Sequence, residues 1–349
     1  MPTYNGERFL EQALASVAAQ HDEDIEIVAV DDGSTDRTLG ILRRWSRHVR
    51  GVAVIERRRT GNWVSSTAVG MAAARGRYLC WLHQDDTWRP GRAAVLRRVL
   101  AAHPAAALVV HPCWYTGVRG ERIGYWRCAL ARKRGLLTFA EVARPLLVQC
   151  SIAACGAIFS AEAVRAVGSP DTSLLYHADW DYWLRLARLE RTLHVTTPLA
   201  SFRIHPASQT IGLAAEADRR LVEARAVFRR HMPHFAACGG DAGRVERIAA
   251  VSTEVNYALN SLFAGVTIDF RHLLYRVAAL GPSGCATLLR DSRLVERCVS
   301  RLQAKAGLRP LLCAGMAAIA RHYTGAAAVP LVRVAMPNAG DIRGDPERA

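Results

Sequence analysis

Three sets of carboxylates in this chain have types and spacing suited to chemistry: Asp31-Asp32, Asp85-Asp86 and Asp179. The pair Asp85-Asp86 ends the stretch Arg77-Tyr78-Leu79-Cys80-Trp81-Leu82-His83-Gln84, which reads as a buried strand over 78–82 and then turns abruptly polar. Like charges this close raise each other's pKa, and burial at the mouth of a strand adds to the cost. A divalent cation brought in by a phosphate-bearing substrate would relieve the repulsion, and hard oxygen ligands suit Mg²⁺ or Mn²⁺. A solvated turn leading into a helix at Ala93-Ala94-Val95-Leu96, with Pro90 at its start, explains the same residues. Asp179 lies in Tyr176-His177-Ala178-Asp179-Trp180-Asp181-Tyr182-Trp183, where it fits an N-cap or first turn. Helix N–H dipoles there would hold it ionised, as suits a general base that takes a proton from a hydroxyl. Simple capping also accounts for it, with Asp181 a solvated or ion-paired neighbour. Further on, Ser201-Phe202-Arg203-Ile204-His205-Pro206 offers a fixed cation and an imidazole to phosphates or a metal, although a lone histidine is more often structural.

The elements that must position these groups follow from periodicity. Helical spacing runs from Glu7 to Ala19, and Ile25 to Val30 is short, β-branched and apolar, as a buried parallel strand should be. Gly33 permits a tight turn after Asp31-Asp32, and Ser34 to Asp36 can cap a helix through Leu39, Ile41, Leu42 and Trp45. A strand at Val52–Ile55, a helix at 66–75 and the strand ending before Asp85 continue the rhythm. Alternating strands and helices predict a doubly wound α/β sheet with ligands at the carboxyl ends of its strands, where both acidic pairs lie. Ala107–His111 and Ala153–Phe159 read as strands, Ala161–Val167 as a helix, and Arg191–Thr197 as a strand-like piece. Trp114 to Phe139, rich in arginine, reads as a long functional loop. From about Ala214 the pattern becomes helical, with a loop at Gly281-Pro282-Ser283-Gly284 and an apolar segment from Leu311 to Val334.

Composition narrows the class. The 349 residues suffice for one large domain or two ordinary ones, and 50% are hydrophobic without an uninterrupted spanning run. No basic-then-apolar leader opens the chain. Nine scattered cysteines without a Cys-x-x-Cys pair fit reduced cytoplasmic thiols, and twelve histidines show no metal-binding pair of the His-x-x-x-His type. The net charge of +15 favours anionic partners, but the arginines are dispersed and no nucleic-acid signature is present, so none is expected to bind.

The ordered set Pro2-Thr3-Tyr4-Asn5-Gly6-Glu7, Val30-Asp31-Asp32-Gly33-Ser34-Thr35-Asp36, Gln84-Asp85-Asp86, Asp179-Trp180-Asp181-Tyr182-Trp183-Leu184-Arg185 and Phe202-Arg203-Ile204-His205-Pro206 resembles family-2 glycosyltransferases of the GT-A fold. The resemblance covers roughly residues 1 to 210. It implies a Rossmann-like sheet with helices on both faces in a domain at 1–212, followed by a mainly helical region at 213–349. It further implies that Thr3 and Tyr4 sit against a donor nucleotide, that Asp32 bonds its base, most often uracil, and that Asp85 lies near the ribose and diphosphate. Asp86 would bind a divalent metal, Mn²⁺ or Mg²⁺. Asp179 would be the catalytic base of an inverting displacement, and Arg203 and His205 would close over the diphosphate, Arg203 on the nucleotide and His205 as a ligand of the metal. The donor would be a nucleoside-diphosphate sugar, a UDP-sugar by family habit, and the acceptor a glycan or lipid-linked saccharide for cell-surface polysaccharide. A cytoplasmic location is expected, with peripheral contact to the anionic inner face of the plasma membrane through Leu311 to Val334. The family places a buried strand before Pro-Thr-Tyr-Asn, so the true start is expected upstream of Met1. The alternative is a catalytically inactive scaffold or anion-binding module of the same fold.

Overall fold

Short β-branched runs separated by amphipathic helices give the chain its layers. The computed structural model describes residues 1–130, 135–205, 217–263 and 270–299. In chain order the first half holds β1 (Pro2–Thr3), α1 (Leu10–Ala18), β2 (Ile27–Asp31), α2 (Thr38–His48), β3 (Val52–Glu56), α3 (Trp63–Ala73), β4 (Tyr78–Leu79), β5 (Thr87–Trp88), α4 (Arg92–Ala102), β6 (Leu108–Val110), β7 (Cys113–Thr116) and β8 (Arg122–Trp126). There follow α5 (Phe139–Val148), β9 (Ala157–Ser160), α6 (Ala161–Val167), α7 (Ala178–Ala187), β10 (Thr192–His194), β11 (Ala200–Arg203), α8 (Ala217–Ala237), α9 (Ala242–Phe263), α10 (Phe270–Ala278) and α11 (Gly281–Ser292).

β1, β2 and β3 pair in parallel, with Pro2 opposite Val30 and Thr3 opposite Asp31. Alternation along β2 then selects what each face covers. Ala29 packs with Leu10 and Leu14 of α1 and Leu42 of α2. On the other face Gly70 of α3 approaches so closely that an added Cβ would lie 3.2 Å from Val30 Cγ2. Helices therefore cover both faces, as expected. A second sheet runs β10-β6-β9-β4 and a third β5-β11-β7-β8. The third sheet ties the segment after the acidic pair to the downstream motif, because β5 pairs antiparallel with β11 through Ala200–Trp88 and Ser201–Thr87.

Three local expectations are corrected. The arginine-rich passage from Trp114 is not one long loop: β7 and β8 form an antiparallel hairpin turning through Gly117 and Gly120. Cross-strand aromatic pairs hold it, Trp114 with Tyr125 at 5.0 Å and Tyr115 with Trp126 at 5.2 Å. Residues 131–134 of that passage lie outside the described residues. Gly281-Pro282-Ser283-Gly284 is the first turn of α11 and not a connecting loop. Proline suits a first helical turn, where its missing N–H would have no partner anyway. Nor does the strand ahead of Asp85 reach Leu82; it stops at Leu79, paired with Phe159.

The main core joins α5, α7 and the second sheet to the helical C-terminal segment. Phe139, Leu146, Trp183, Phe159, Val227, Phe235, Ile248 and Leu288 all belong to it. Among the described residues no helix is long and apolar enough to cross a membrane. The segment Leu311 to Val334 lies outside them, as do Pro206 to Thr210.

Candidate nucleotide and metal site

Asp31 closes β2 and Asp32 follows it, both nearly inaccessible. Asp31 organises the turn, accepting from Ser34 N at 2.9 Å and Ser34 Oγ at 2.5 Å, with Thr3 Oγ1 3.2 Å away. Thr3 is itself buried beneath the turn. Asp32 faces the segment after β3 and accepts from Thr60 N, Thr60 Oγ1, Gly61 N and Arg59 Nη1 at 2.5–3.0 Å. Burial pushes its pKa up, but these donors outweigh burial and hold the carboxyl below the usual range. The approach demands glycine at position 33: φ is +75°, and a Cβ would meet Arg59 N at 2.9 Å. Arg59 also lies over the ring of Tyr4, 3.4 Å from its centroid. Tyr4, half in solvent, is anchored by its backbone, which exchanges bonds with the Gln84 amide at 2.8 and 2.9 Å. Tyr4, Asp32 and Arg59 thus form one ledge, and Gln84 ties it to the second acidic pair.

At that pair the two carboxylates are treated differently. Asp85 Oδ2 lies 3.0 Å from His205 Nε2. Burial raises its pKa, yet the His205 bond and the charges of His83 and His205 bring it below the ordinary value. Asp86 is 1% exposed; Oδ1 accepts from Arg203 N at 3.0 Å, and Oδ2 has no hydrogen-bond partner. Its pKa is pushed well up, by burial first and then by Cys155 and Asp85. His83 Nε2 is a second buried atom without a hydrogen bond, and donor atoms of His83, Asp85 and Asp86 lie within 4.8 Å of one another. Buried polar atoms left without hydrogen bonds are costly, and a carboxylate oxygen and an imidazole nitrogen of this one cluster are so left, so the donor set fits a divalent metal.

Arg203 lies below this surface, 3% exposed. Its guanidinium donates to Asp85 O, Gly117 O, Val118 O and Gln12 Oε1 at 2.8–3.2 Å and rests on the Phe9 ring. It joins α1, the β7–β8 turn and the acidic turn at one point. His205 packs against Phe9 as well, with ring centroids 4.9 Å apart.

Asp179 occupies the first turn of α7. Trp180 N donates to its Oδ1 at 2.8 Å, but burial wins and raises its pKa to about 6. Aromatic contacts connect α7 to the acidic turn: His83 meets Trp63, Trp63 meets Trp81, and Trp81 stacks on Tyr182 at 5.1 Å and touches Trp183 at 4.9 Å. Trp63 Nε1 and Asn62 Nδ2 also donate to Leu175 O and Thr172 O, fixing the approach to α7 from α3. Asp181 is wholly buried and ion-paired, with Arg185 at 3.0 Å, Arg230 at 3.0 Å and His231 at 2.9 Å.

Sequence reasoning assigned no role to His83, Arg59, Thr60, Gln12 or Glu223, and named Gln84 only within its motif with Asp85 and Asp86. His83 carried a local signal, two residues before Asp85. Arg59, Thr60, Gln12 and Glu223 reach the site across the fold.

A parallel three-stranded edge with acidic turns at strand ends, joined to mixed sheets, is the GT-A architecture. Residues 1–168, just under half of the chain, match the family described as Glycosyl transferase family 2. An uncharacterized glycosyltransferase of Rickettsia prowazekii is 25% identical over 210 residues, 60% of this chain and 64% of its own length. A second, from Rickettsia typhi, is 24% identical over the same shares. The matched stretch thus spans less than two thirds of these relatives. Among solved structures, S. aureus TarS 1–349 in complex with UDP-GlcNAc superposes with a TM-score of 0.57 at 15% identity, covering 86% of this chain and 87% of that one. The mannosyltransferase PcManGT from Pyrobaculum calidifontis, in complex with GDP-Man and Mn²⁺, gives 0.50 at 16% identity over 88% and 86%. These likenesses concern the fold.

Proposed function

We propose that this chain is a metal-dependent, inverting glycosyltransferase that moves a sugar from a nucleoside-diphosphate donor, a UDP-sugar, to a glycan or lipid-linked acceptor in cell-surface polysaccharide synthesis. The observation that carries the reading is the buried Asp86 Oδ2, without a hydrogen bond, in a group of donor atoms from His83, Asp85 and Asp86 that lie within 4.8 Å of one another, with Gln84 of the same turn bonded to the Tyr4 backbone. Tyr4 and Arg59 flank the nucleobase, Asp32 accepts from it, and Asp85 addresses the ribose and diphosphate. Asp86 and His83 hold the cation, with His205 orienting Asp85. An imidazole donor favours Mn²⁺, since Mg²⁺ prefers all-oxygen octahedral shells. When bound, the cation supplies charge neutralisation for the leaving diphosphate. Asp179 accepts the proton from the acceptor hydroxyl as its oxygen attacks the anomeric carbon from the face opposite the leaving group. With its pKa at about 6 it is mostly ionised at neutral pH, yet basic enough to share a proton in the transition state. Arg203 acts from beneath, holding the acidic turn in register. The UDP reading draws support from the donor bound to TarS, and the metal from the Mn²⁺ of PcManGT. The net charge of +15 and the exposed Phe270, Leu274 and Tyr275 of α10 support peripheral contact with an anionic membrane from the cytoplasmic side. Calorimetric titration of UDP and GDP, with Mn²⁺ and then with chelator, tests the reading; absence of metal-dependent nucleoside-diphosphate binding would leave the inactive scaffold as the better account.

A further inference from the structure

Helix α7 does not cap itself. Its N-cap residue is His177, whose side chain makes no capping bond. The donors ahead of the helix go instead to Glu223 of α8, which accepts from Leu175 N at 3.0 Å, Tyr176 N at 2.7 Å and His177 N at 3.2 Å. Glu223 is 4% exposed, and Arg219 one turn earlier on α8 pairs with it at 3.2 Å. Asp181, on the first turn of α7, is gripped by Arg230 and His231 of α8. Arg188 adds a bond from α7 to Arg230 O at 2.8 Å.

Glu223 and His231 are eight residues apart, about 12 Å along α8 at 1.5 Å per residue. Two acids removed from water hold their place only while their partners are met, so these anchors fix both the height and the rotation of α7 against α8. Asp179 lies between Glu223's three N–H donors and Asp181, two residues from each boundary.

We propose that α8 is a positioning brace for the reaction: Glu223 sets the turn that aims Asp179, and Asp181 with Arg230 and His231 locks the helix that carries it. The helical C-terminal segment is then a working part of the site. The inference rests on the reading of Asp179 as the base. Glu223 is a positioning residue, and its effect belongs to turnover and not to donor binding, because the nucleotide ledge and metal donors come from other elements.

The test uses the full chain as wild type, Glu223→Ala, Glu223→Gln, Asp179→Asn and, as a control, Glu254→Gln, whose exposed pair with Arg276 does not touch α7. Amide hydrogen exchange over 175–180 is followed with UDP and Mn²⁺ present, beside UDP calorimetry and turnover of a panel of UDP-sugars beginning with UDP-N-acetylglucosamine. Glu223→Ala should speed exchange at 175–177 and lower kcat about 100-fold, the scale expected when a reacting group is displaced by about 1 Å. Its donor KM and UDP affinity should stay as in wild type, with Glu223→Gln intermediate and Glu254→Gln unchanged. Unaltered exchange in Glu223→Ala, unaltered kcat, or a loss shared equally by UDP binding would overturn the brace. Full turnover by Asp179→Asn would instead sink the base assignment, and should no UDP-sugar be turned over, the exchange result alone decides for or against the brace.

Discussion

At the scale of single residues, the site is defined by what is left unsatisfied. Asp86 Oδ2 and His83 Nε2 are buried without hydrogen bonds, whereas Asp32 and Asp181 are each met by several donors. At Asp179 burial outweighs the bond from Trp180 N and raises the pKa to about 6. Its carboxylate must be ionised to accept a proton, so kcat/KM should fall tenfold per pH unit below about pH 6 and level off above it. The same shift has a cost in stability. An acid whose folded pKa lies above its unfolded value stabilises the fold at low pH and loses that contribution as pH rises towards 6. Asp179→Asn should therefore abolish turnover while raising stability at pH 8 by about 1–2 kcal/mol, the order implied by a shift of roughly two units tempered by partial solvent access. Urea unfolding of both proteins at pH 8 checks this, and an Asn variant less stable than wild type would contradict it.

Between elements, Arg203 is the residue that makes separate pieces into one site. Arg203→Lys keeps the charge but cannot reach Asp85 O, Gly117 O, Val118 O and Gln12 together. It should cost about 2–4 kcal/mol in unfolding free energy, since buried carbonyl acceptors would be left unmet. Gly33→Ala should likewise lose about 1–3 kcal/mol, because position 33 has φ +75° and no room before Arg59; UDP affinity should fall with it, as Arg59 is the neighbour that must move. These contacts mark the boundary of what the sequence discloses. Strands such as Ile27–Asp31 and helices such as Ala161–Val167 are written in local periodicity, and so was the placing of Asp179 in a first helical turn. The β7–β8 hairpin was hidden because Arg119, Glu121 and Arg122 interrupt its apolar alternation. The partners of Asp32 sit 27 to 29 residues away and those of Arg203 up to 191. No spacing rule connects them, because tertiary packing alone brings them together.

At the scale of the molecule, the described helices α8, α9, α10 and α11 share the core of the α/β layer. Val227, Phe235, Ile248, Val251 and Leu288 pack with Phe139, Leu146 and Trp183. A chain ended at residue 212 should expose that face and fail to give a cooperative thermal transition, with aggregation on expression; a folded, cooperative fragment would contradict this. On the proposed function, transfer also belongs to the whole, since the residues proposed for nucleotide, metal and base lie on β2, the acidic turn and α7. Its first requirement is a cation-dependent nucleotide site at Asp86. The most direct measurement is calorimetry of UDP into the full chain with Mn²⁺, repeated after chelation and in Asp86→Ala. Binding that needs Mn²⁺ and disappears in Asp86→Ala is the expected result. Equal UDP binding by Asp86→Ala with and without metal would contradict the account.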